Sequence, residues 1–192
     1  MLSEGQVVVY PTETLYGLLA TVKNHEAVAR IPVLKGRGDN PLPCVISDED
    51  QLAQLTDHVT PRHLLLMELF WPGPLTLVFE ARPGLPAAIT AKGNTVGVRR
   101  TSHALLAAVI EQCGPVVATS ANPTGMPTPY EPKEIAALFP ELAVFDGGLL
   151  MTRQPSTVVG FREDGEVVCM REGAISMEIV QRELQRAEGG GR

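Results

Sequence analysis

A chain of 192 residues is long enough for one domain and too short for two of ordinary size. Hydrophobic residues make up 44% of it and charged residues 20%, which is typical of a globular protein and excludes intrinsic disorder and fibrous repeats. With 16 basic and 22 acidic residues the formal charge is −6. The chain therefore lacks the net positive charge with which proteins bind nucleic acid non-specifically through phosphate contacts.

The cysteines and the first residues favour a cytoplasmic protein. Cys44, Cys113 and Cys169 are odd in number and far apart, and no C-x-x-C pair indicates a disulfide framework or a thiolate zinc site. The first residues lack the basic and then apolar pattern of a signal peptide, and no apolar run reaches the length of a membrane span. We therefore expect a reducing cytoplasm and no membrane association.

The N-terminal half predicts alternating strands and helices. Residues 6–10 form a β-branched run that predicts a buried strand. Further strands are expected over 42–46, 75–79 and 95–98. Asn24 is predicted to cap the first helix, which Pro32 should kink or shorten. The residues expected to face the core from this helix are Ala27, Val28, Ile31 and Leu34.

Polar residues predict the starts of three further helices. Asp48 should cap a short helix, and Thr60 followed by Pro61 should begin a longer one. The core-facing residues expected from the longer helix are Leu64, Leu65, Met67 and Leu69. Ser102 is predicted to cap a helix that ends near Gly114.

The C-terminal half continues the mixture of strands and helices. Strands are expected over 116–119, 143–145, 157–159 and 167–170, and helices over 132–138 and 176–187. Because strands and helices intermix without a strict βαβ repeat, the pattern predicts an α/β fold. We expect one domain over residues 1–188 and a disordered glycine-rich tail over 189–192.

Three loops combine hydroxyls, cations and small residues. Residues 11–18 read PTETLYGL and place two hydroxyls, a carboxylate and a phenol after the first strand, either as a plain turn or as a site. Lys35 and Arg37 flank a glycine, where they either complement the helix dipole or grip a polyphosphate. Residues 119–125 are small and polar, which fits either an anion-binding nest or an ordinary turn.

Several other kinds of site have no signature in the chain. No P-loop, Rossmann or G-x-S-x-G motif occurs. The histidines lack metal-ligand spacing and are expected to be solvated or to cap helices; they are His25, His58, His63 and His103. Trp71 stands beside prolines and is expected to pack in the core. The residues alone thus predict a polar, locally cationic cleft for an anionic small molecule, and they do not name that molecule.

Seven segments, taken in order, resemble the YrdC-like family, whose enzymatic members are L-threonylcarbamoyladenylate synthases. The matching segments are PTETLYGL at 11–18, KGR at 35–37 with NPL at 40–42, FWPGPLTLVF at 70–79, TVGVR at 95–99, ATSAN with a glycine at 118–125, STVV at 156–159 and MREG at 170–173. Each segment is a weak signal, but together they span nearly the whole chain. At this length the chain resembles the single-domain members.

The resemblance implies a fold and a reaction. The fold would be α/β, a twisted, partly open mixed sheet curled around a cavity and flanked by helices. The reaction would convert L-threonine, bicarbonate or carbon dioxide, and ATP with Mg²⁺ into threonylcarbamoyl-AMP and pyrophosphate. A partner threonylcarbamoyl transferase complex would then modify tRNA, which this chain would contact only indirectly or weakly.

The resemblance also implies which residues act. Catalysis would rest on positioning and on fixed cations that meet the phosphate charge. The implied ATP-binding residues are Lys35, Arg37, Asn40, Thr95, Asn122, Tyr130 and Arg171. The implied threonine-binding residues are Thr14, Arg99, Ser120 and Ser156. The implied catalytic residues are Lys35, Arg37, Ser120 and Asn122, and no residue is assigned to a metal.

The chain departs from the family pattern in three places. Val45 stands where many relatives have a histidine, and Gly38 stands where a proline is usual, with one residue fewer before Asn40. Only residues 1–5 precede the first strand, which leaves open a start further upstream. Two alternatives also stay open: an RNA-binding or ribosome-associated module without enzymatic activity, and a paralogue that forms a related carbamoyl-adenylate.

Overall fold

A mixed β-sheet runs through the structure, a computed structural model that describes residues 1–36, 38, 40–91, 93–150, 154–162 and 164–189. Within these residues nine strands join in one sheet. In chain order they are β1 (Val8–Pro11), β2 (Tyr16–Thr21), β3 (Cys44–Ile46), β4 (Leu75–Glu80), β5 (Thr95–Arg100), β6 (Val116–Ser120), β7 (Ala143–Val144), β8 (Thr157–Phe161) and β9 (Val167–Arg171). Across the sheet their order is β7-β1-β2-β6-β3-β5-β4-β8-β9.

Helices flank this sheet. The α-helices are α1 (His25–Lys35), α2 (Pro61–Phe70), α3 (Ala87–Thr90), α4 (Ala104–Cys113), α5 (Pro132–Leu138) and α6 (Met177–Gly189), and 3₁₀ turns cover Leu2–Glu4 and Glu49–Gln54. Asp48 caps the second 3₁₀ turn, as predicted. Among the described residues, no helix combines the length and the apolar character needed to cross a bilayer.

The strand pairs are both parallel and antiparallel. β3 pairs in parallel with β5, and β4 with β8, whereas β2 pairs antiparallel with both β1 and β6. This arrangement confirms the predicted mixed α/β sheet. Most predicted elements lie within two residues of their observed bounds.

Strand β2 is the main element that the sequence pattern did not predict. It follows the polar residues 12–15, and all of its residues are buried. A strand covered on both faces shows no alternation of polar and apolar residues, and this one also contains Gly17 and Ala20, which are depleted in strands. Burial between β1 and β6 outweighs that weak local preference.

Helix α1 begins as predicted but does not stop at Pro32. The Asn24 side chain accepts a hydrogen bond from the Ala27 N–H at 2.8 Å. The helix then continues beyond Pro32 to Lys35 and ends at Gly36, which adopts a left-handed conformation with φ 56°. Glycine tolerates that conformation without the cost that a β-carbon would add. Of the two effects predicted for Pro32, a kink or a shortening, the shortening does not occur, and Gly36 sets the end of the helix.

Helix α2 presents a different face to the core from the predicted one. Thr60 caps it as expected, but Leu64 is 55% exposed and Leu69 is exposed as well, so their assignment to the core is wrong. The buried residues are His63, Leu66 and Met67. His63 stacks on Phe79 with ring centroids 4.2 Å apart, so this histidine packs in the core together with Leu66 and Met67.

Two smaller predictions differ from the structure, and a third agrees with it. The cap of α4 is His103, whose Nδ1 accepts from the Leu106 N–H at 3.2 Å, and not Ser102. Gly189, predicted to begin the disordered tail, is the last residue of α6, and residues 190–192 lie outside the described residues. Trp71 is buried as expected, and its indole N–H donates to the Leu75 carbonyl at 2.7 Å.

His63 makes stability depend on pH. Burial lowers its pKa below the ordinary 6.5, although Nε2 contacts the Val78 carbonyl at 3.1 Å. The neutral ring can accept from Thr60 at Nδ1, and protonation would remove that acceptor. Because the pKa of His63 is lower in the folded state, the neutral ring makes its full contribution to the free energy of unfolding above pH 6.5. This contribution is lost as the pH falls through the lower, folded-state pKa.

We therefore expect His63→Gln to flatten the dependence of the free energy of unfolding on pH below neutrality. Urea unfolding between mildly acidic and mildly alkaline pH measures this slope. The matched control is His25→Gln, since His25 is exposed. An unchanged slope in His63→Gln would contradict the assignment.

The two faces of the sheet are covered differently. Alternate side chains of a strand point to opposite faces, and cross-strand partners share a face. One face packs beneath α1, α2 and α6 through a core that includes Leu18, Ile46 and Val98. On the other face, Leu19 and its neighbours pack against Leu106 of α4. The rest of this second face lines a cavity.

Candidate functional site

The cavity has a volume of about 690 Å³, which is within the usual range for small-molecule sites. Its floor consists largely of small side chains, including Gly17, Thr76, Gly97 and Ala118. A β-carbon at Gly97 would lie 3.2 Å from Thr76 Cγ2, so a larger residue there would crowd the floor. The small residues on alternate strand positions thus leave room for a ligand.

Most predicted site residues line this cavity, although they are far apart in the sequence. They are Thr14, Asn40, Thr95, Arg99, Ser120, Tyr130, Ser156 and Arg171. Ser120 pairs in register with Gly17 of β2, and Arg99 pairs with Val45 of β3. The strand order therefore brings segments from both halves of the chain to one surface.

Lys35 and Asn122 lie behind the lining. Lys35 ends α1 and is 4% exposed. Its Nζ donates to the Asn122 carbonyl at 2.7 Å, to Asn122 Oδ1 at 3.3 Å and to the Ser120 carbonyl. The Thr124 N–H donates to the Lys35 carbonyl at 2.8 Å. Lys35 thus fastens the segment after β6 to the end of α1, which a solvated helix-end cation would not do.

The prediction for Arg37 lies outside the described residues and stays a prediction. Asn122 is buried, and its side-chain amide donates to the carbonyls of Pro123 and Met126. These bonds close the turn that follows Ser120. Asn122 therefore shapes the rim of the cavity from within the turn.

Arg99 is a buried cation at the cavity. Its Nη1 forms an ion pair with Glu13 Oε1, and the two side chains are only 7% and 12% exposed. Burial, together with the smaller effect of the positive charge of Arg171, lowers the pKa of Arg99 to about 10. The guanidinium stays charged at neutral pH, so the cavity holds a permanent positive charge.

Arg171 and Ser156 form a second polar group on the lining. Arg171 Nη2 donates to the Ser156 carbonyl at 2.9 Å and to its hydroxyl at 3.2 Å. The Ser156 hydroxyl also lies 2.8 Å from Thr76 Oγ1. These contacts fix the hydroxyl and the guanidinium relative to each other, which favours recognition of a small anionic or hydroxylated ligand.

The segment before β2 contributes threonine hydroxyls that hydrogen-bond to each other. Thr12 Oγ1 lies 2.9 Å from Thr14 Oγ1, and Thr12 Oγ1 donates to the Leu15 carbonyl at 2.7 Å. The Tyr16 hydroxyl donates to the Gly148 carbonyl at 2.7 Å and accepts from the Gly147 N–H at 2.9 Å. Burial raises the pKa of Tyr16. The neutral phenol of Tyr16 thus links β2 to the segment after β7 through these two hydrogen bonds.

The electrostatic character of the cavity is that of an anion site. Arg99 and Arg171 line it, and no aspartate or glutamate is among the described lining residues. Among the residues that the structure describes, no cluster of histidine, cysteine, aspartate or glutamate has the arrangement of a metal site. The described lining can bind carboxylate and phosphate groups.

Comparison with known proteins agrees with this geometry. Residues 1–173 match the family model of Sua5, YciO and YrdC, which carries the description "Telomere recombination". The chain belongs to the Sua5/YciO/YrdC family. The match contains the β2, β6, β5 and β8 segments that line the cavity.

Relatives within the Sua5/YciO/YrdC family share both sequence and fold. A threonylcarbamoyl-AMP synthase of Bacillus subtilis is 40% identical over 186 residues, which cover 94% of this chain and 54% of that protein. One from Stutzerimonas stutzeri is 35% identical, covering 85% of this chain and 90% of that protein. The crystal structure of Pyrococcus abyssi Sua5 complexed with L-threonine has a TM-score of 0.89 and 36% identity, covering 95% of this chain and 55% of that one. The chain thus spans about half the length of the Bacillus and Pyrococcus proteins.

The departures from the family pattern can be placed in the cavity. Val45 lies on its wall, where it offers an apolar surface beside Arg99. Asn40 lies on the lining despite the shorter spacing from Lys35, and its N–H donates to the Gly38 carbonyl at 2.8 Å. The one-residue difference therefore does not remove Asn40 from the site.

Three residues that the Sua5/YciO/YrdC fold brings to this site were assigned no role from the sequence. They are Glu13 beside Arg99, Thr76 beside Ser156, and Tyr16. All three lie inside the segments that carry the family resemblance, at 11–18 and 70–79. The pairing of Glu13 with Arg99 joins residues 86 positions apart, so local pattern contains no signal for it.

Proposed function

We propose that this chain is an L-threonylcarbamoyladenylate synthase, which uses L-threonine, bicarbonate or carbon dioxide, and ATP. The observation that carries the proposal is the cavity in which Arg99 and Arg171 face ordered hydroxyls, within the family described above. The name of the Bacillus subtilis relative and the threonine in the Pyrococcus abyssi structure support the substrate assignment.

The reaction needs positioning and charge stabilisation more than a reactive side chain. The threonine amine forms a bond to the carbon of carbon dioxide and loses a proton, or it condenses with bicarbonate and releases water. Either route gives a carbamate. A carbamate oxygen then attacks the α-phosphorus of ATP, the bond from this phosphorus to the bridging oxygen breaks, and pyrophosphate leaves. Negative charge builds up on the phosphate oxygens, which fixed cations stabilise.

On the threonine side, we assign the substrate carboxylate to Arg99 and its polar groups to Thr14, Ser120 and Ser156. A guanidinium binds a carboxylate with two parallel hydrogen bonds, which fixes orientation as well as affinity. The hydroxyl of Ser156 is held by Arg171 and lies beside Thr76. Such ordered hydroxyls recognise a small polar side chain at low entropic cost.

On the nucleotide side, we assign Lys35, Arg37, Asn40, Thr95, Asn122, Tyr130 and Arg171. Four of these residues line the cavity: Asn40, Thr95, Tyr130 and Arg171. Lys35 would contribute by holding the turn from Ser120 to Asn122, whose geometry the phosphates would meet. Mg²⁺ would enter as the ATP complex, because the described lining offers it no carboxylate. Its chemistry would be to neutralise charge on the phosphates.

The product would be a mixed anhydride and would need a group-transfer enzyme to consume it. We propose that a threonylcarbamoyl transferase complex takes the activated group to tRNA, and that this chain contacts tRNA at most weakly. Its three cysteines are free thiols, which fits the reducing cytoplasm that we propose as its location.

We expect pyrophosphate release by the purified chain to require ATP, Mg²⁺, L-threonine and bicarbonate together. The reason is that the carbamate, and not threonine itself, is the nucleophile. A coupled pyrophosphate assay measures this, and mass spectrometry identifies the adenylate. The control replaces L-threonine with L-serine or omits the amino acid.

Pyrophosphate release at the same rate without threonine or without bicarbonate would contradict the proposed reaction. Release that requires another amino acid would instead favour a paralogue with a different substrate. Absence of any release, combined with tight tRNA binding near physiological salt, would favour the RNA-binding alternative.

A further inference from the structure

Glu13 is a partly buried acid that the proposed reaction does not use directly. It lies in the segment between β1 and β2, and it is absent from the residues that line the cavity. Its side chain is 12% exposed, and its Oε1 pairs with Arg99 Nη1. Burying a carboxylate costs free energy unless its charge is paired and its oxygens accept hydrogen bonds. The ion pair with Arg99 therefore stabilises Glu13 in this position.

The second oxygen of Glu13 is also held. Thr101 Oγ1 donates a hydrogen bond to Glu13 Oε2 at 2.8 Å. Thr101 is itself fixed, because its N–H donates to the Ile46 carbonyl at 3.0 Å and its hydroxyl accepts from the His103 N–H at 3.1 Å. The carboxylate is therefore clamped between the end of β5 and the guanidinium of Arg99.

Arg99 needs such a clamp for two physical reasons. Its long side chain would otherwise sample several rotamers. Ligand binding would then restrict it to one rotamer, and the loss of conformational entropy would lower the affinity. Burial and the nearby charge of Arg171 disfavour the Arg99 cation, whereas the negative charge of the paired Glu13 favours it. A guanidinium has five N–H donors, so holding Nη1 leaves donors that can bind a carboxylate from the cavity.

We propose that Glu13 is a positioning residue that fixes the Arg99 guanidinium for recognition of the amino-acid substrate's carboxylate, with Thr101 holding Glu13 in place. This inference rests on the proposed threonine site. It assigns Glu13 no proton transfer and no direct contact with substrate. Glu13 acts on affinity and on the discrimination of carboxylate from amide, through Arg99.

Calorimetric titration of Glu13→Gln with L-threonine, L-threoninamide and ATP tests the proposal. We expect the affinity for L-threonine to fall about tenfold or more, because an unclamped guanidinium must be ordered on binding. The preference for L-threonine over L-threoninamide should fall with it, while ATP affinity changes by less than about twofold. A purely structural role would weaken all three ligands and would leave that preference unchanged.

Thr101→Val provides a second variant that keeps the Glu13 charge and removes its hydrogen bond. It should weaken L-threonine binding in the parent protein and have no further effect in Glu13→Gln, because it acts through Glu13. The matched control is Glu166→Gln, which breaks the exposed Arg162–Glu166 ion pair and should leave all three affinities unchanged.

Two results would overturn the proposal. Unchanged L-threonine affinity in both Glu13→Gln and Thr101→Val would remove the positioning role. Tighter L-threonine binding in Glu13→Gln would mean that Glu13 competes with the substrate carboxylate for Arg99. Failure of the parent protein to bind L-threonine at all would instead contradict the proposed function, so the two failures are distinguishable.

Discussion

Arg99→Ala is expected to weaken L-threonine binding by about a hundredfold or more, since removing one partner of a desolvated ion pair costs several kcal/mol. ATP affinity should change by less than about twofold, because the phosphates are assigned to other residues. Calorimetry with each ligand separately measures both effects. The reason lies in the burial of the Arg99 guanidinium, which is 7% exposed and lines the cavity.

Arg99→Ala also leaves the Glu13 carboxylate buried without its cation, so stability must be measured alongside binding. The double variant Arg99→Ala with Glu13→Gln removes that unpaired charge and keeps the test informative if the single variant unfolds. Arg100→Ala is the matched control, because this neighbour pairs with Glu49 and donates to the Ser47 carbonyl, and it is not part of the cavity lining. L-threonine affinity equal to the parent's in Arg99→Ala would show the carboxylate assignment to be wrong.

Lys35→Ala is expected to lower the rate of pyrophosphate formation about a hundredfold, comparable to the loss of one preorganised donor in an active site. Its Nζ holds the carbonyls of Ser120 and Asn122, so its loss releases the turn at the cavity rim. Hydrogen bonds to a charged group contribute roughly 1.5–3 kcal/mol, so the free energy of unfolding should also fall by about that amount. L-threonine binding should weaken less than the rate falls, because Ser120 is the one assigned threonine-side residue in that turn.

Steady-state kinetics and urea unfolding of Lys35→Ala separate the two effects. Lys23→Ala is the control, because Lys23 is exposed in the loop before α1. If Lys35 served only as a helix-end cation, its removal would cost about 1 kcal/mol or less and leave the rate intact. That result would contradict its assignment to the nucleotide side.

The comparison of helices α1 and α2 explains why local elements were predictable only in part. Caps depend on a side chain and a backbone N–H a few residues away, so Asn24 and Thr60 were predicted correctly. The inward face of α2 depends instead on what lies opposite it, and there Phe79 of β4 and Phe161 of β8 contact His63. Because those contacts are remote in sequence, the apolar pattern alone placed Leu64 wrongly in the core.

The candidate site, like the helices, was predictable only in part from the sequence. Eight residues implied by the family resemblance line one cavity. Half of them lie on strands, namely Thr95, Arg99, Ser120 and Arg171, and the others lie in segments between elements. Lys35 was predicted as a cation facing phosphate, but the structure places its Nζ against backbone carbonyls. A motif states which residue types occur, whereas the direction of a long side chain depends on the surrounding packing.

The sequence by itself determined the α/β class, the caps and bounds of most elements, the absence of disulfide and zinc signatures, and the set of motifs that resemble one family. These properties depend on composition, on periodicity and on contacts between near neighbours. Only the tertiary structure decided the burial of β2, the face of α2, the position of Lys35 behind the lining and the Glu13–Arg99 pair. Each of these depends on strand order and register, which join residues far apart in the chain through long-range burial and pairing.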